Sequence, residues 1–361
     1  MFKTHRFQLL SFFLAITLGL IGFQKTALTQ EAKDDPIKNI HKNGAVVVMY
    51  QRFEESKYPT TSTNLSIFAD HIQELRNKQY NVIPLLDVVD ALKNNSPLPD
   101  RTISITIDDA YLSFYKTAWP ALQKANLPVT VFVTTSAVDQ NRVGYMTWSQ
   151  IRELASDPLV TIGNHASELR HIAHLSQQEQ KQIIDQSNQT FRRALGKQPN
   201  LFAYPYGEIS NNLQSVLRAA GFKAAFGQHS GAIDHNSDLM TLPRYPFNDR
   251  FGTMERFKLA INSLPLPVSA VLPEDLTLNE ATNPPLIGFT IGSQIIPRAD
   301  GSYRGLNCYS SQGELTLQEL GGGRIEVRLK EPFKTGRARL NCTMLGPDGR
   351  WRWFGQQYYI P

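Results

Sequence analysis

The chain has 361 residues, of which 41% are hydrophobic and 19% are charged, and its formal net charge is +5. This length suits about two domains, and the composition is ordinary for a globular protein. Three of the positive charges lie within the first 30 residues, which contain no acid, so the rest of the chain carries +2. The remaining Lys and Arg residues form no cluster of the kind that binds nucleic acid, and we expect no nucleic-acid partner.

The N-terminus has the pattern of an export signal. Lys3 and Arg6 precede an apolar run over residues 9–23, and a polar segment with small residues follows it. This run of about fifteen residues is short for a membrane span, although a retained N-terminal anchor is the alternative. The sequence therefore predicts a signal peptide over residues 1–30, a polar leader over residues 31–44, and an exported protein that is periplasmic or secreted. After cleavage no stable membrane span is expected.

From residue 45 onward, apolar strands rich in β-branched residues alternate with amphipathic helices. The predicted strands cover residues 45–50, 82–86, 102–107, 129–133, 159–165 and the start of 202–207. The predicted helices cover residues 68–75, 88–93, 115–124, 149–155 and 177–195. Repeated alternation of strand and helix predicts a parallel sheet or a barrel.

The strand over residues 102–107 runs directly into Asp108 and Asp109. The carboxyl end of a strand is the edge at which parallel α/β folds build their sites. Neighbours on an extended backbone point to opposite sides, so one carboxylate can hold a metal ion while the other handles a proton. The alternative is that the pair only ends the strand as a turn or helix cap.

Three of the eight histidines follow another strand end within ten residues: His165, His171 and His174. Imidazole is the commonest protein ligand for borderline divalent metals, and a carboxylate from a second strand can complete such a site. An isolated histidine is more often an ordinary surface or core residue. The clustering of these three histidines beside a strand end instead favours a metal site.

Residues 45 to about 250 resemble a polysaccharide deacetylase of the NodB-homology type. That family has a T-F-D-D-G strand end, a histidine pair in H-[ST]-x-x-H, and an R-x-P-Y turn. The matching segments occur here in the same order: Thr106-Ile107-Asp108-Asp109-Ala110, Gly163-Asn164-His165 and Ala203-Tyr204-Pro205-Tyr206-Gly207. The opening strand Val46-Val47-Val48-Met49-Tyr50 and Met146-Thr147-Trp148 add to the likeness.

The resemblance implies a deformed (β/α) barrel, which we place over residues 45–263, with Asp108 as general base. It implies one divalent metal ion, Zn²⁺ with Co²⁺ or Ni²⁺ as alternatives, held by Asp109, His165 and a later histidine, for which we favour His171 over His174. The backbone N–H of Tyr206 is a candidate donor to the oxyanion. Such enzymes remove acetyl groups from N-acetylglucosamine polymers or from acetylated xylan.

The chain departs from the family pattern at several positions. Leu169 stands where the second histidine is expected, so a local insertion must bring a later histidine into place. Ala203 replaces the arginine that pairs with the base, and Arg244 is either its substitute or an unrelated surface group. Ala110 replaces the usual glycine. No late leucine-x-x-histidine supplies a general acid, and neither nearby histidine, His229 or His235, is assigned that role.

Beyond residue 263 the helical pattern gives way to strands that alternate with period two and are separated by turns containing Gly and Pro. This pattern predicts a small all-β, sandwich-like domain over residues 264–361. Cys308 and Cys342 are expected to form a disulfide, as paired cysteines of exported proteins commonly do. Five late aromatic residues form either a platform for sugar stacking or ordinary core packing: Trp351, Trp353, Phe354, Tyr358 and Tyr359.

Two classes of function remain. In the first, the protein is a metal-dependent enzyme that hydrolyses acetyl groups of a polysaccharide, with activated water as nucleophile and Asp108 as base. In the second, it is an exported glycan-binding protein that keeps the fold with impaired catalysis, which Ala203 and the missing acid favour. The sequence does not indicate the oligomeric state.

Overall fold

The computed structural model describes residues 44–297, 302–303 and 305–361. The predicted signal peptide and residues 31–43 of the predicted leader lie outside the described residues. Within the described part, no helix has the length and apolar character needed to cross a membrane.

The first part of the described chain alternates short strands with helices. Its strands are β1 (Ala45–Tyr50), β2 (Arg52–Phe53), β3 (Ser62–Thr63), β4 (Asn81–Val82), β5 (Thr102–Asp108), β6 (Val129–Val133), β7 (Val160–Asn164), β8 (Leu201–Ala203), β9 (Ala224–Phe226) and β10 (Tyr245–Pro246). Its helices are α1 (Leu65–Leu75), α2 (Leu85–Lys93), α3 (Trp119–Lys124), α4 (Thr135–Asp139), α5 (Trp148–Ser156), α6 (Gln177–Leu195), α7 (Asn211–Ala219) and α8 (Met254–Ile261). A π-helical turn, Phe114–Ala118, leads into α3, and a 3₁₀ turn, Pro205–Gly207, follows β8.

One parallel sheet curls through the order β10-β1-β5-β6-β7-β8-β9, with β4 also paired to β5. The segment before β10 links the two ends of this order, because Leu242 forms a parallel bridge with Phe226 of β9 while Tyr245 pairs with Val48 of β1. The result is the deformed barrel that the sequence predicted. All the carboxyl ends of these strands meet at one rim, where side chains can be assembled into a site.

Alternate residues of β1 enter different apolar clusters, as the pleat requires. In β1, Val46 and Val48 pack in a cluster with the helices α1, α5 and α8, while Val47 packs in a second cluster with Phe132 and Phe226. The residues of β5 that face away from the helical cluster are polar: Thr102, Ser104, Thr106 and Asp108. Asp108 therefore lies on the buried interior face, and the strand order places it at the rim.

Local sequence signals account for most element boundaries. Helix α6 begins and ends where the sequence predicted, because Ser176 and Glu179 form a reciprocal capping box and Gly196 closes the helix in the left-handed conformation at φ 75°. The predicted strand over residues 82–86 was wrong, since β4 ends at Val82 and Leu85 already begins a helix. Pro84 explains the difference, because it lacks the N–H that a sheet needs and its fixed φ suits a helix start.

The C-terminal part is all β, as predicted, with β11 (Leu264–Pro265), β12 (Val268–Leu272), β13 (Ile287–Ile291), β14 (Asn307–Ser310), β15 (Leu315–Glu319), β16 (Arg324–Leu329), β17 (Gly336–Leu345) and β18 (Trp351–Ile360). Two four-stranded sheets are present among the described residues, in the orders β11-β18-β17-β14 and β12-β13-β16-β15. Phe354 of β18 packs against Phe289 of β13, which joins the sheets face to face. A disulfide links Cys308 to Cys342 and confirms the predicted pairing.

Candidate active site

Asp108 and Arg244 form a buried ion pair at the end of β5. The Arg244 guanidinium donates to both carboxylate oxygens of Asp108, at 2.7 Å from Nη1 to Oδ1 and 2.8 Å from Nη2 to Oδ2. Its Nε donates to the Gly227 carbonyl at 2.9 Å, and Nη1 also reaches Thr106 Oγ1 at 3.2 Å. Neither side chain of the pair is exposed. This two-point contact fixes the plane of the Asp108 carboxylate.

Asp109 takes a different direction because the chain turns sharply after β5, with Asp109 at φ 74° and Ala110 at φ 62°. Its Oδ1 lies 3.3 Å from His165 Nε2, and its Oδ2 accepts a hydrogen bond from Gln51 Nε2 at 3.2 Å. Asp109 Oδ1 is buried and has no hydrogen-bond partner. A buried carboxylate oxygen in this state is costly, and such an oxygen facing an imidazole nitrogen suits a bound cation.

His165 is oriented from behind by the backbone. Its Nδ1 donates to the Ala203 carbonyl at 2.8 Å, which leaves the Nε2 lone pair facing Asp109. Burial alone would lower the pKa of His165, but the carboxylates of Asp109 and Asp108 raise it above its ordinary value. An imidazole fixed in this tautomer by a carbonyl has the usual arrangement of a metal ligand. Asp109 and His165 therefore fit one divalent ion.

His171, the predicted third ligand, makes other contacts. Its Nδ1 lies 2.9 Å from both carboxylate oxygens of Glu208, and its side chain is 49% exposed. Burial raises the pKa of the Glu208 carboxyl, while His171 acts in the opposite direction. Within residues 44–297, 302–303 and 305–361, no three His, Cys, Asp or Glu side chains are grouped so as to hold a metal ion. The choice between His171 and His174 stays a prediction.

Tyr206 lies in the turn after β8, between these groups. It has φ 58° and ψ 7°, an uncommon backbone conformation for a tyrosine, and its hydroxyl donates to the Leu169 carbonyl at 3.2 Å. Burial raises the pKa of Tyr206, and the Asp109 and Glu208 carboxylates raise it further. The Tyr206 ring stacks on the His171 ring, with their centroids 4.6 Å apart. The turn thus connects the Asp109 side of the rim to the His171 side.

Several side chains of this region carried no recognised signal in the sequence. Gln51 directly follows β1, so its position at a strand end was the available clue. Glu208 lies one residue beyond the 3₁₀ turn. Three residues of the C-terminal sheets, Arg337, Gln357 and Tyr359, reach the site through contacts that only the fold shows. His229, considered in the sequence as a nearby histidine, is buried, and burial lowers its pKa to about 4.

Sequence comparisons relate this chain to polysaccharide deacetylases. The family model for polysaccharide deacetylase matches residues 95–225. A poly-beta-1,6-N-acetyl-D-glucosamine N-deacetylase of Escherichia coli strain K12 is 24% identical over 244 residues, which cover 56% of this chain and 36% of that protein. The enzyme of the same name from Staphylococcus aureus strain MRSA252 is 23% identical over 248 residues, covering 60% of this chain and 84% of that protein. The chain thus spans about a third of the length of the Escherichia coli relative.

Solved structures share the fold. The deacetylase PplD of Streptococcus pyogenes superposes with a TM-score of 0.56 at 19% identity, covering 61% of this chain and 99% of that chain. IcaB from Ammonifex degensii gives a TM-score of 0.54 at 24% identity, covering 61% of this chain and 96% of that chain. These two likenesses show a shared fold, and residues 95–225 within that fold match the polysaccharide deacetylase family model, ahead of the all-β sheets.

Proposed function

We propose that this protein removes N-acetyl groups from a polymer of N-acetylglucosamine by hydrolysis. The observation that carries the proposal is the buried Asp108–Arg244 pair, since Arg244, just before β10, stands in for the arginine that Ala203 replaces in the family pattern. The names of the sequence relatives, which are N-deacetylases of a β-1,6-linked N-acetylglucosamine polymer, support this substrate over acetylated xylan.

Asp108 acts as the general base. Each of its carboxylate oxygens accepts one hydrogen bond from Arg244 and retains capacity to accept another, so the group can take a proton from the attacking water. The guanidinium keeps the carboxylate in one orientation, which a positioned proton acceptor requires. The reaction leaves acetate and a free amine on the sugar.

Asp109 and His165 would hold a divalent ion, with Zn²⁺ as the first candidate. His171 is proposed as third ligand because Glu208 engages its Nδ1, the arrangement that leaves Nε2 available to a metal. When bound, such an ion polarises the acetyl carbonyl and makes water more acidic. The Tyr206 N–H is proposed to donate to the oxygen of the acetyl group as negative charge develops on it.

Acetate release tests the proposal directly. The purified protein would be incubated with β-1,6-linked and β-1,4-linked N-acetylglucosamine oligomers and with acetylated xylan, each with and without a chelator. We expect acetate from the glucosamine oligomers, loss of release with chelator, and recovery on adding Zn²⁺. Absence of acetate from all three substrates at every metal tested would contradict the proposal.

We also propose that the protein works outside the cytoplasm. The N-terminal pattern of two basic residues followed by an apolar run supports this placement, as does a polymeric substrate of the kind named for the relatives. Fractionation of cells expressing the full chain and N-terminal sequencing of the product test it. A product that stays in the cytoplasm with Met1 intact would contradict it.

A second candidate function, glycan binding without catalysis, is favoured by a cleft between the barrel and the C-terminal sheets. The cleft has a volume of about 800 Å³, and its charged lining side chains are carboxylates: Asp234, Asp238 and Glu274. Trp353 and Phe354, two of the aromatic residues considered for sugar stacking, are partly exposed there. Carboxylates beside aromatic rings suit a sugar polymer with free amines.

Calorimetric titration separates this candidate from the enzyme. Binding of glucosamine oligomers without acetate release from their acetylated forms would favour it. Glu274→Gln should then weaken the binding, whereas the exposed Glu280→Gln, outside the cleft lining, should not.

A further inference from the structure

Strand β18 presents its two faces to two different parts of the molecule. Phe354 and Tyr358 pack against Phe289 and Phe333, inside the C-terminal sheets. The residues at odd positions from 353 to 359 point the other way, as the period of two requires. They contact the barrel at successive places: Trp353 at Tyr245, Gly355 near Ser230, Gln357 at Tyr206 and Tyr359 at His171. The strand therefore crosses the rim from the β10 side to the loop after β7.

At the Tyr206 turn, the C-terminal sheet supplies the hydrogen bonds to a carbonyl of the candidate site. Gln357 Nε2 donates to the Tyr206 carbonyl at 2.8 Å, and Arg337 Nη1 lies 3.5 Å from the same oxygen. The Arg337 guanidinium also lies 5.5 Å from the centroid of the Tyr206 ring. Because Tyr206 has a positive φ, its peptide orientation is not one that the local sequence favours and depends on such contacts.

At the loop after β7, the sheet covers one face of the His171 ring. Tyr359 stacks on it with centroids 5.4 Å apart and planes inclined by 4°, while Tyr206 stacks on it at 4.6 Å and 24°. Glu208 holds the edge of the ring through Nδ1. These three contacts hold a ring whose side chain is still 49% exposed, and one of them comes from the C-terminal sheet.

We propose that the C-terminal sheet is a working part of the deacetylase site, in which Gln357 and Tyr359 are positioning residues for the Tyr206 turn and the His171 ring. The inference rests on the proposed function for the role of those two groups. It goes beyond that function because it makes a separate sheet responsible for the positions of Tyr206 and His171 in the site. The second ring stacked on His171 and the side-chain hydrogen bond to the Tyr206 carbonyl both come from β18, so the barrel by itself lacks them.

The test uses the full chain with two substitutions and a matched control for each. Gln357→Met removes the donor at similar volume, and Tyr359→Leu removes the stacked ring but keeps an apolar side chain. The exposed residues Gln318 and Tyr309, on β15 and β14 of the same sheets, supply the controls Gln318→Met and Tyr309→Leu. Tyr359→Phe keeps the ring and should behave as the unsubstituted protein.

Two readouts distinguish positioning from general stability. Gln357→Met and Tyr359→Leu should each lower kcat on an N-acetylglucosamine oligomer by about tenfold or more, as misplaced catalytic groups do, with KM changed much less. Hydrogen–deuterium exchange of the segment 204–209 should become faster in Gln357→Met and not in Gln318→Met. The exchange result needs no activity, so a protein that releases no acetate would refute the proposed function while this arm still tests the positioning.

Unchanged kcat in both variants would overturn the inference, as would unchanged exchange of 204–209 in Gln357→Met. Equal effects of the variants and their controls would do the same, because they would show a loss of stability in the sheets rather than of geometry at the rim. Activity retained in Tyr359→Phe and lost in Tyr359→Leu supports the assignment of the ring.

Discussion

The Arg244 guanidinium donates one hydrogen bond to each carboxylate oxygen of Asp108, although the two residues are 136 positions apart. Asp108 ends the strand next to β1 on one side, and Arg244 precedes the strand next to β1 on the other, so the parallel sheet brings them together. A fixed pair of this kind can serve both the stability of the barrel interior and the orientation of a base. These two roles can be separated by measurement.

Asp108→Asn should lower turnover by about two orders of magnitude or more, the usual cost of losing a positioned proton acceptor. The amide has the same shape as the carboxylate but cannot take the proton. Acetate release by the metal-loaded protein measures the effect. A variant with near-normal turnover would show that the attacking water needs no help from Asp108.

Arg244→Met should destabilise the protein by about 3–5 kcal/mol, because it leaves the Asp108 carboxylate buried without its partner. Adding Asp108→Asn to Arg244→Met should recover part of this loss, since the buried charge is then gone. Urea unfolding of the two single variants and the double variant gives the coupling. Additive losses would mean that the two side chains do not interact energetically.

Asp109→Ala should abolish binding of a divalent ion, because it removes the carboxylate that lies 3.3 Å from His165 Nε2, and imidazoles alone leave the charge uncompensated. Elemental analysis after dialysis against Zn²⁺ measures the occupancy. Asp185→Ala, which removes a carboxylate from the surface of α6, is the control and should keep the metal. Full occupancy in Asp109→Ala would refute the assignment.

Substitutions of the two later histidines decide the third ligand. If His171 is the ligand, His171→Ala should lose the ion while His174→Ala keeps it, and the reverse result assigns His174. The same dialysis and elemental analysis apply. Retention of the ion in both single variants would exclude each residue as a required ligand.

Lowering the pH from about 6.5 to 4 should destabilise the protein through His71. Burial lowers the pKa of His71 to about 4, while its Nε2 donates to the Gly252 carbonyl and its Nδ1 accepts from the Tyr50 hydroxyl. The unfolded chain takes up a proton below about pH 6.5 and the folded chain does not until about pH 4, so stability present above pH 6.5 is lost over this range.

The expected size of this effect is about 3 kcal/mol, and His229, with its pKa lowered to about 4 by burial, should add a similar slope. Urea midpoints at pH 7 and pH 4 measure it. His71→Gln should lower stability at pH 7 and flatten the pH dependence, whereas the exposed His235→Gln should leave the slope unchanged. An unaltered slope in His71→Gln would contradict the explanation.

Much of the fold could be read from the sequence because its signals are local. The apolar strands, the capping box of α6 and the alternation of strand and helix each depend on neighbouring residues. They predicted a parallel sheet or barrel followed by all-β sheets, and the family resemblance implied that the first part is a deformed barrel. Asp108, Asp109 and His165 were picked out as candidate site residues for the same reason, because each strand end and the motif around it are contiguous in the chain. The strand predicted across Pro84 failed because one residue without an N–H outweighed its apolar neighbours.

The tertiary structure alone decided which distant residues meet. The sequence left Arg244 open between a partner of Asp108 and a surface group, and the contact depends on strand order, which no local pattern encodes. It assigned neither Gln51 nor Glu208 to the site, and it left Tyr359 as either packing or platform. Each of these residues contacts the site through pairing of elements far apart in the chain, and such pairing is set by the packing of whole faces rather than by the spacing of residues along a strand.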